Sequence, residues 1–280
     1  MATMPKRRGI RTRQLGVKSV LVALIVVSLL PYLLMVVTSV KSNQQFAESF
    51  WSLEAPFHFE NFGRAWQQIA PYLMNTVLVA AVTIVLVLAV ASIAAFVLAR
   101  YRFRGRGFVY ALVLVLMMIP GIANLIPLFV MMRDWHLLNS YTVLVIPYVA
   151  GGVVLGTVLI RNFVEGIPQA IFDAARMDGA SDVRMYFSIM LPLSLPVLGT
   201  IALMTVTTVW NDFFWPLLVL SDDSLRTVSV GLQFFQGQNA TDIGPLMAGY
   251  LLASLPLVLL FAFFSKYFLA GVQGGMPGAH

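Results

Sequence analysis

The chain has 280 residues, of which 59% are hydrophobic and 11% charged, with 18 Lys and Arg against 12 Asp and Glu for a net charge of +6. A soluble domain carries about 25% charged residues, so this chain lacks the polar surface to dissolve as a globule, and its apolar excess points to a bilayer. It has no cysteine, which excludes disulfides and thiol chemistry, and its cations sit in a few short segments rather than along a basic stripe, which excludes a nucleic-acid partner.

Residues 1–18 carry Lys6, Arg7, Arg8, Arg11, Arg13 and Lys18 and read as a cytoplasmic tail. The apolar run over 19–40 is longer than a signal-peptide core and runs into Lys41-Ser42-Asn43 rather than a small-x-small cleavage site, so it reads as an uncleaved first membrane helix. A helix needs about 20 apolar residues to cross about 30 Å of hydrocarbon. Five further stretches reach that length, over 71–99, 108–132, 141–163, 191–220 and 244–270. The predicted fold is therefore an all-α integral membrane protein with six transmembrane helices over 19–270 and a cytoplasmic tail over 271–280. The two longest stretches leave room for tilt or an interfacial segment.

The connectors set the orientation. The N-terminal tail, the connector over 100–107, the fourth connector and the C-terminal end together hold fourteen Lys and Arg, whereas Lys41, Arg64, Arg133 and Arg226 are the four on the other side. By the positive-inside rule both termini face the cytoplasm. Within the spans lie Pro31, Pro120, Pro127, Pro147, Pro196, Pro216 and Pro256, which suit a bundle bent around a pathway.

Catalytic chemistry finds no foothold. His58, His136 and His280 lie in separate connectors or the tail and form no H-E-x-x-H pattern. Gly16-Val17-Lys18 departs from the G-x-x-x-x-G-K-[ST] phosphate loop, so the chain is expected to bind neither ATP nor another cofactor itself. Gly152 and Gly156 have the four-residue spacing of close helix packing. Asp212, in Trp210-Asn211-Asp212-Phe213-Phe214-Trp215-Pro216, is the carboxylate set within an apolar stretch. Two readings stand: a structural hydrogen bond near the outer mouth, or a translocation path lined by Asn124, Asn211, Asp212 and Trp215.

The fourth connector is the most informative. Pro168 suits a first helical turn, Gly179 a left-handed C-terminal cap, and Ser181 the N-cap of a second short helix that stops near Pro192. The result is a pair of cytoplasmic helices over about 168–190. On the first, Ile171, Ala174, Ala175 and Asp178 share a face by helical spacing, small enough to enter a groove of another protein.

This segment resembles the E-A-A loop of binding-protein-dependent permeases. It reads Asp173-Ala174-Ala175, then Gly179, then Ile189-Met190-Leu191-Pro192, with Asp173 where the pattern has Glu. Met177-Asp178-Gly179-Ala180-Ser181 resembles the family's D-G-A-S. Met118-Ile119-Pro120-Gly121, Leu138-Asn139-Ser140-Tyr141, Trp210-Asn211-Asp212-Phe213 and Leu246-Met247-Ala248-Gly249 are similar to maltose-type sugar permeases, and the short first outer loop looks like the smaller of the two permease subunits.

The resemblance implies a type I ABC importer permease fold in a bacterial plasma membrane, carrying a sugar or oligosaccharide. It implies a second homologous permease, two ATP-binding subunits that use ATP and Mg, and an extracytoplasmic substrate-binding protein. It places Asp173, Ala174, Ala175, Met177, Asp178, Gly179 and Ser181 at the ATPase, with Gln273 and Gly274 reaching it from the tail. It places Gln233, Gln236 and Gln238 at the binding protein. The rival reading, a carrier driven by an ion gradient, predicts paired buried charges and membrane repeats, neither of which the sequence contains. A membrane-embedded enzyme lacks its catalytic cluster.

Overall fold

The computed structural model describes residues 8–274, with side chains over 17–263, and contains no strand among them. Helices α1 (Arg8–Ser39), α3 (Glu60–Arg100), α6 (Thr142–Glu165) and α13 (Ile243–Gly274) are long and apolar enough to cross a bilayer unbroken. The other two predicted spans are bent. In the first, α4 (Arg106–Met117) is joined through a 3-10 turn over Gly121–Asn124 to α5 (Leu125–Asp134), with a bend of 90°. Pro120 sets the break: its φ of −62° and ψ of 127° are extended, and its nitrogen cannot donate.

In the second, α8 (Asp182–Met185), a π turn over Tyr186–Met190 and α9 (Leu191–Leu193) meet α10 (Leu195–Asn211) at 74°. Pro192 and Pro196 bracket this joint. Counting each bent pair as one span gives six. The predicted fifth stretch over 191–220 is not one helix: α10 stops at Asn211, Asp212 turns extended, and a separate α11 (Phe214–Val219) follows.

The chain divides into two compact units, Met1–Gln68 with Phe235–Leu252, and Ile69–Phe234 with Ala253–His280. In the first unit, α1 is exposed on every side from residue 17 to 33, so an all-round apolar helix meets lipid or another chain there. The connector after it is folded rather than loose. Ser42 and Gln45 form a capping box on α2 (Asn43–Glu48).

Lys41, counted above among the four cations on the other side, is 2% exposed. Its Nζ donates to the Ser49 carbonyl at 2.5 Å and the Phe50 carbonyl at 3.1 Å. Asn61 Nδ2 donates to the Ser39 and Lys41 carbonyls, both at 3.0 Å. A buried ammonium is tolerated here because backbone oxygens replace its water.

In the second unit, α3, α6 and α10 share a core that includes Val87, Ala91, Ile160 and Ile201. Gly152 and Gly156 allow the close approach: a Cβ on Gly152 would lie 2.7 Å from Val87 Cγ2, and one on Gly156 would lie 3.0 Å from Ala91 Cβ. The pair therefore joins α6 to α3 within this chain.

Asn139 adopts a left-handed φ of 59°. Its Oδ1 accepts from the Ser221 and Asp222 amides at 3.0 and 2.9 Å, and its own amide donates to the Val219 carbonyl at 2.8 Å. Asn139→Ala loses both side-chain bonds and strains the backbone, so thermal unfolding of the purified protein is expected to reveal a destabilisation of about 2–3 kcal/mol.

Candidate functional site

The elbow after α6 is built around a short amphipathic helix, α7 (Gln169–Met177). Pro168 opens it in an extended conformation. Gly179 closes it with φ +77°. The Gly179 amide donates to the Arg176 carbonyl and the Ala180 amide to the Ala175 carbonyl, at 3.0 and 2.9 Å, which is a Schellman motif. Ser181 Oγ then accepts from the Arg184 amide at 3.3 Å and starts α8.

One side chain nails this helix down. Phe172 is 1% exposed and packs with Phe96, Val164 and Met185. Arg100, the last residue of α3, lies over its ring at 4.1 Å. The same guanidinium donates to Gln169 Oε1 at 2.9 Å, to the Ile167 carbonyl at 2.7 Å and to the Val164 carbonyl. Arg100 thus ties the ends of α3 and α6 to the start of α7.

The face expected from spacing is split by this anchor. Ala175 turns toward the core, half-buried beside Phe172. Ile171, Asp173, Ala174, Met177 and Asp178 are exposed, Met177 to 85%. Asp173 accepts from Gln169 Nε2 at 3.0 Å and pairs with Arg176 at 3.4 Å, so its shorter carboxylate is already held on its own helix. Sequence reasoning missed Phe172 and Arg100; the signal was a lone aromatic on an otherwise small, polar helix next to a basic loop.

The second constellation surrounds Asp212. Tyr148, from α6, donates its hydroxyl to Asp212 Oδ2 at 2.8 Å, and Asp212 Oδ1 accepts from the Trp215 amide at 3.3 Å, holding the start of α11. Both interactions are structural. They still leave the carboxylate on the wall of a hollow of about 400 Å³ lined by Gly121, Ile122, Leu125, Tyr148, Phe214 and others.

Trp215 lines this hollow but is 5% exposed, and its Nε1 donates to the Val143 carbonyl at 2.9 Å. Its indole belongs to the core and offers no open face for stacking. Phe214, which sequence reasoning passed over, is 70% exposed beside it. Asn211 is exposed with its amide bonded to the Thr207 carbonyl of its own helix at 2.9 Å, and Asn124 is exposed at the end of the 3-10 turn.

The connector over 221–243 contains a helix, α12 (Val228–Gln238), that its polar composition concealed. Its approach is latched to α3. Tyr72 donates to Asp223 at 3.0 Å, Asn75 donates to the Ser224 and Arg226 carbonyls at 2.7 and 2.9 Å, and Tyr141 donates to Asn75 Oδ1 at 2.7 Å. The Ser224 backbone amide and hydroxyl hold the Asp222 carboxyl below its usual range. Gln233, Gln236 and Gln238 are exposed on α12. Gln273 and Gly274 fall in the last turn of α13, and their side chains lie outside the described residues. No cluster of acidic and histidine side chains able to hold a metal occurs among the described residues.

Residues 88–274 match the family described as binding-protein-dependent transport system inner membrane component. The chain is 35% identical over 246 residues to the probable ABC transporter permease protein YurM of Bacillus subtilis, covering 88% of this chain and 82% of that one. It is 30% identical to the melibiose/raffinose/stachyose import permease protein MelC of the same organism, covering 96% of this chain and 98% of that one. Among solved structures, a chain of a bacterial ABC transporter for import of the acidic polysaccharide alginate superimposes with a TM-score of 0.79 at 23% identity, over 95% of this chain and all of that one.

Proposed function

Because the chain belongs to the family of inner-membrane components of binding-protein-dependent transport systems, we infer that it is the permease subunit of an importer for a sugar or oligosaccharide, driven by ATP hydrolysed on separate subunits. The observation that carries the coupling part is α7: a rigidly anchored helix presenting Asp173, Ala174, Met177 and Asp178 outward. Ile171, Ala174 and Met177, three residues apart and exposed together, leave an apolar strip on the outward side of α7 that suits a docking contact. The cargo part rests on the similarity to MelC over nearly the full length of both chains.

In this reading both termini face the cytoplasm and two ATP-binding subunits dock against α7, with Ser181 and the end of α13 at Gln273 and Gly274 close to them. A second permease covers the apolar surface left by α1, and a substrate-binding protein meets Gln233, Gln236 and Gln238. The bent spans carry the motion. Asp212, Asn211 and Asn124 border the route, with Phe214 rather than Trp215 as the aromatic available to a passing sugar ring.

The test is uptake of labelled raffinose or melibiose into vesicles holding this chain, its sister permease, ATPase and binding protein. Uptake is expected to need internal ATP and external binding protein. Uptake that follows an ion gradient without ATP would sink the reading in favour of a secondary carrier.

Gly179→Asp sharpens it. The substitution puts a side chain at φ +77°, straining the cap by about 1 kcal/mol, and adds bulk beside the docking face. Uptake is expected to fall more than ~10-fold, about 1.4 kcal/mol of lost coupling, while the subunits still co-purify. Wild-type uptake in this variant would count against α7 as the docking site.

A further inference from the structure

A second hollow, of about 560 Å³, lies where α3 ends and α8 begins, with Tyr101, Phe103, Asp182, Val183, Tyr186 and Phe187 in its lining. None of the readings above uses it. Its walls are apolar, yet Phe103, Val183 and Phe187 are 42%, 67% and 61% exposed. An apolar hollow left this open must be covered by something apolar. Burial pushes the Tyr101 hydroxyl's pKa up to about 12, and the neighbouring Asp182 carboxylate adds to the rise.

The charges around it are uneven. Arg100, Arg106 and Arg161 each have a carboxylate, amide or carbonyl partner. Arg102, Arg104 and Arg184 are exposed and carry no side-chain partner among the described residues. Arg102 and Arg104 flank Phe103, and Arg184 follows Val183, so the unpaired cations alternate with the hydrophobic rim. Asp182 is the one carboxylate in the lining.

An occupant must therefore be apolar at one end and anionic at the other. The side chains of the two end segments do not fit: residues 1–16 hold five Lys and Arg, residues 264–280 hold Lys266, and neither segment holds Asp or Glu. The hollow also sits at the end of a membrane-crossing helix and is lined by Tyr101 and Tyr186, a residue type enriched at the bilayer interface.

We propose that this hollow holds an anionic phospholipid, with acyl chain against Phe103, Val183 and Phe187 and phosphate on Arg102, Arg104 and Arg184. Near a membrane surface each such arginine strengthens attraction to an anionic headgroup severalfold. The bound lipid would fill the space beside the elbow, its phosphate oxygens accepting from the arginines of the loop.

The experiment uses the full transporter complex containing this chain, washed in detergent and supplied with phosphatidylglycerol or phosphatidylcholine, with retained lipid counted by native mass spectrometry. Wild-type complex is expected to keep phosphatidylglycerol in preference to phosphatidylcholine, and Arg102→Gln with Arg104→Gln to weaken retention about 30-fold. Val183→Trp, which fills the hollow and leaves the arginines in place, is expected to evict the lipid. Equal retention of the two lipids, or undiminished phosphatidylglycerol in the double variant, would overturn the proposal. So would a photo-cross-linker at position 183 that captures a protein chain instead of lipid.

Discussion

Phe172→Ala is expected to cut ATP-driven uptake at least ~10-fold while the spans stay inserted. Emptying a buried phenylalanine site costs about 3–5 kcal/mol. That loss falls on α7, a nine-residue helix that could not hold its shape in isolation. The side chain is the contact that seats α7 on Phe96, Val164 and Met185, and it is also the platform beneath Arg100. Without it the helix frays, and Asp173, Ala174 and Met177 no longer face outward as a unit.

Hydrogen exchange over residues 169–180 should rise as uptake falls, and ATP hydrolysis should lose its stimulation by cargo-loaded binding protein. Phe172→Leu keeps most of the buried volume and should retain most of the uptake. Unchanged exchange and uptake in Phe172→Ala would mean that Arg100 alone seats the elbow.

Gly152→Leu is expected to deplete the folded subunit from the membrane. The substituted Cβ would stand 2.7 Å from Val87 Cγ2, and Val87 is fully buried on α3 with a branched side chain that cannot swing aside. The only relief is to part α6 from α3, which exposes Ala91, Ile160 and their neighbours. Overpacking of this kind costs about 1–3 kcal/mol even where the backbone gives a little. The level of inserted protein, read by quantitative blotting, should fall ~5-fold or more. Gly151→Leu is the matched control, because nothing lies within 4 Å of a Cβ there. Equal levels of the two variants would show that the helices tolerate separation.

The readings that sequence alone supported share one property: they depend on local chemistry. Gly179 needed only its left-handed φ and Ser181 only its hydroxyl, and both caps form as expected. Apolar runs of membrane length marked where the helices lie, and the span prolines marked a bent bundle, although not that the sharp bends fall near Pro120 and Ser194.

The misses depend on distant partners. Lys41 reads only as one cation in a topology count, and its burial against the Ser49 and Phe50 carbonyls does not show in the sequence. Trp215 reads as lining of a path, and it does border the hollow with Asp212, but the sequence does not show that Val143 accepts from its indole and ties the ring into the core. Ala175 matches the outward face by spacing, but Phe172 outweighs it in deciding which side of α7 is buried. Tyr148 is silent in the sequence, because only the crossing of α6 and the start of α11 brings it to Asp212.

Helix α3 runs uninterrupted from the Tyr72–Asp223 and Asn75–Ser224 latches at one end to the Arg100 clamp on α7 at the other. Tyr72 to Arg100 is about 42 Å of continuous rod at 1.5 Å per residue. A swing of about 5° pivoting at the clamp would therefore displace the far latches by roughly 4 Å, more than a hydrogen bond can stretch. Leverage of that size makes the grip on residues 223–226 the first contact to slip when the clamp is driven.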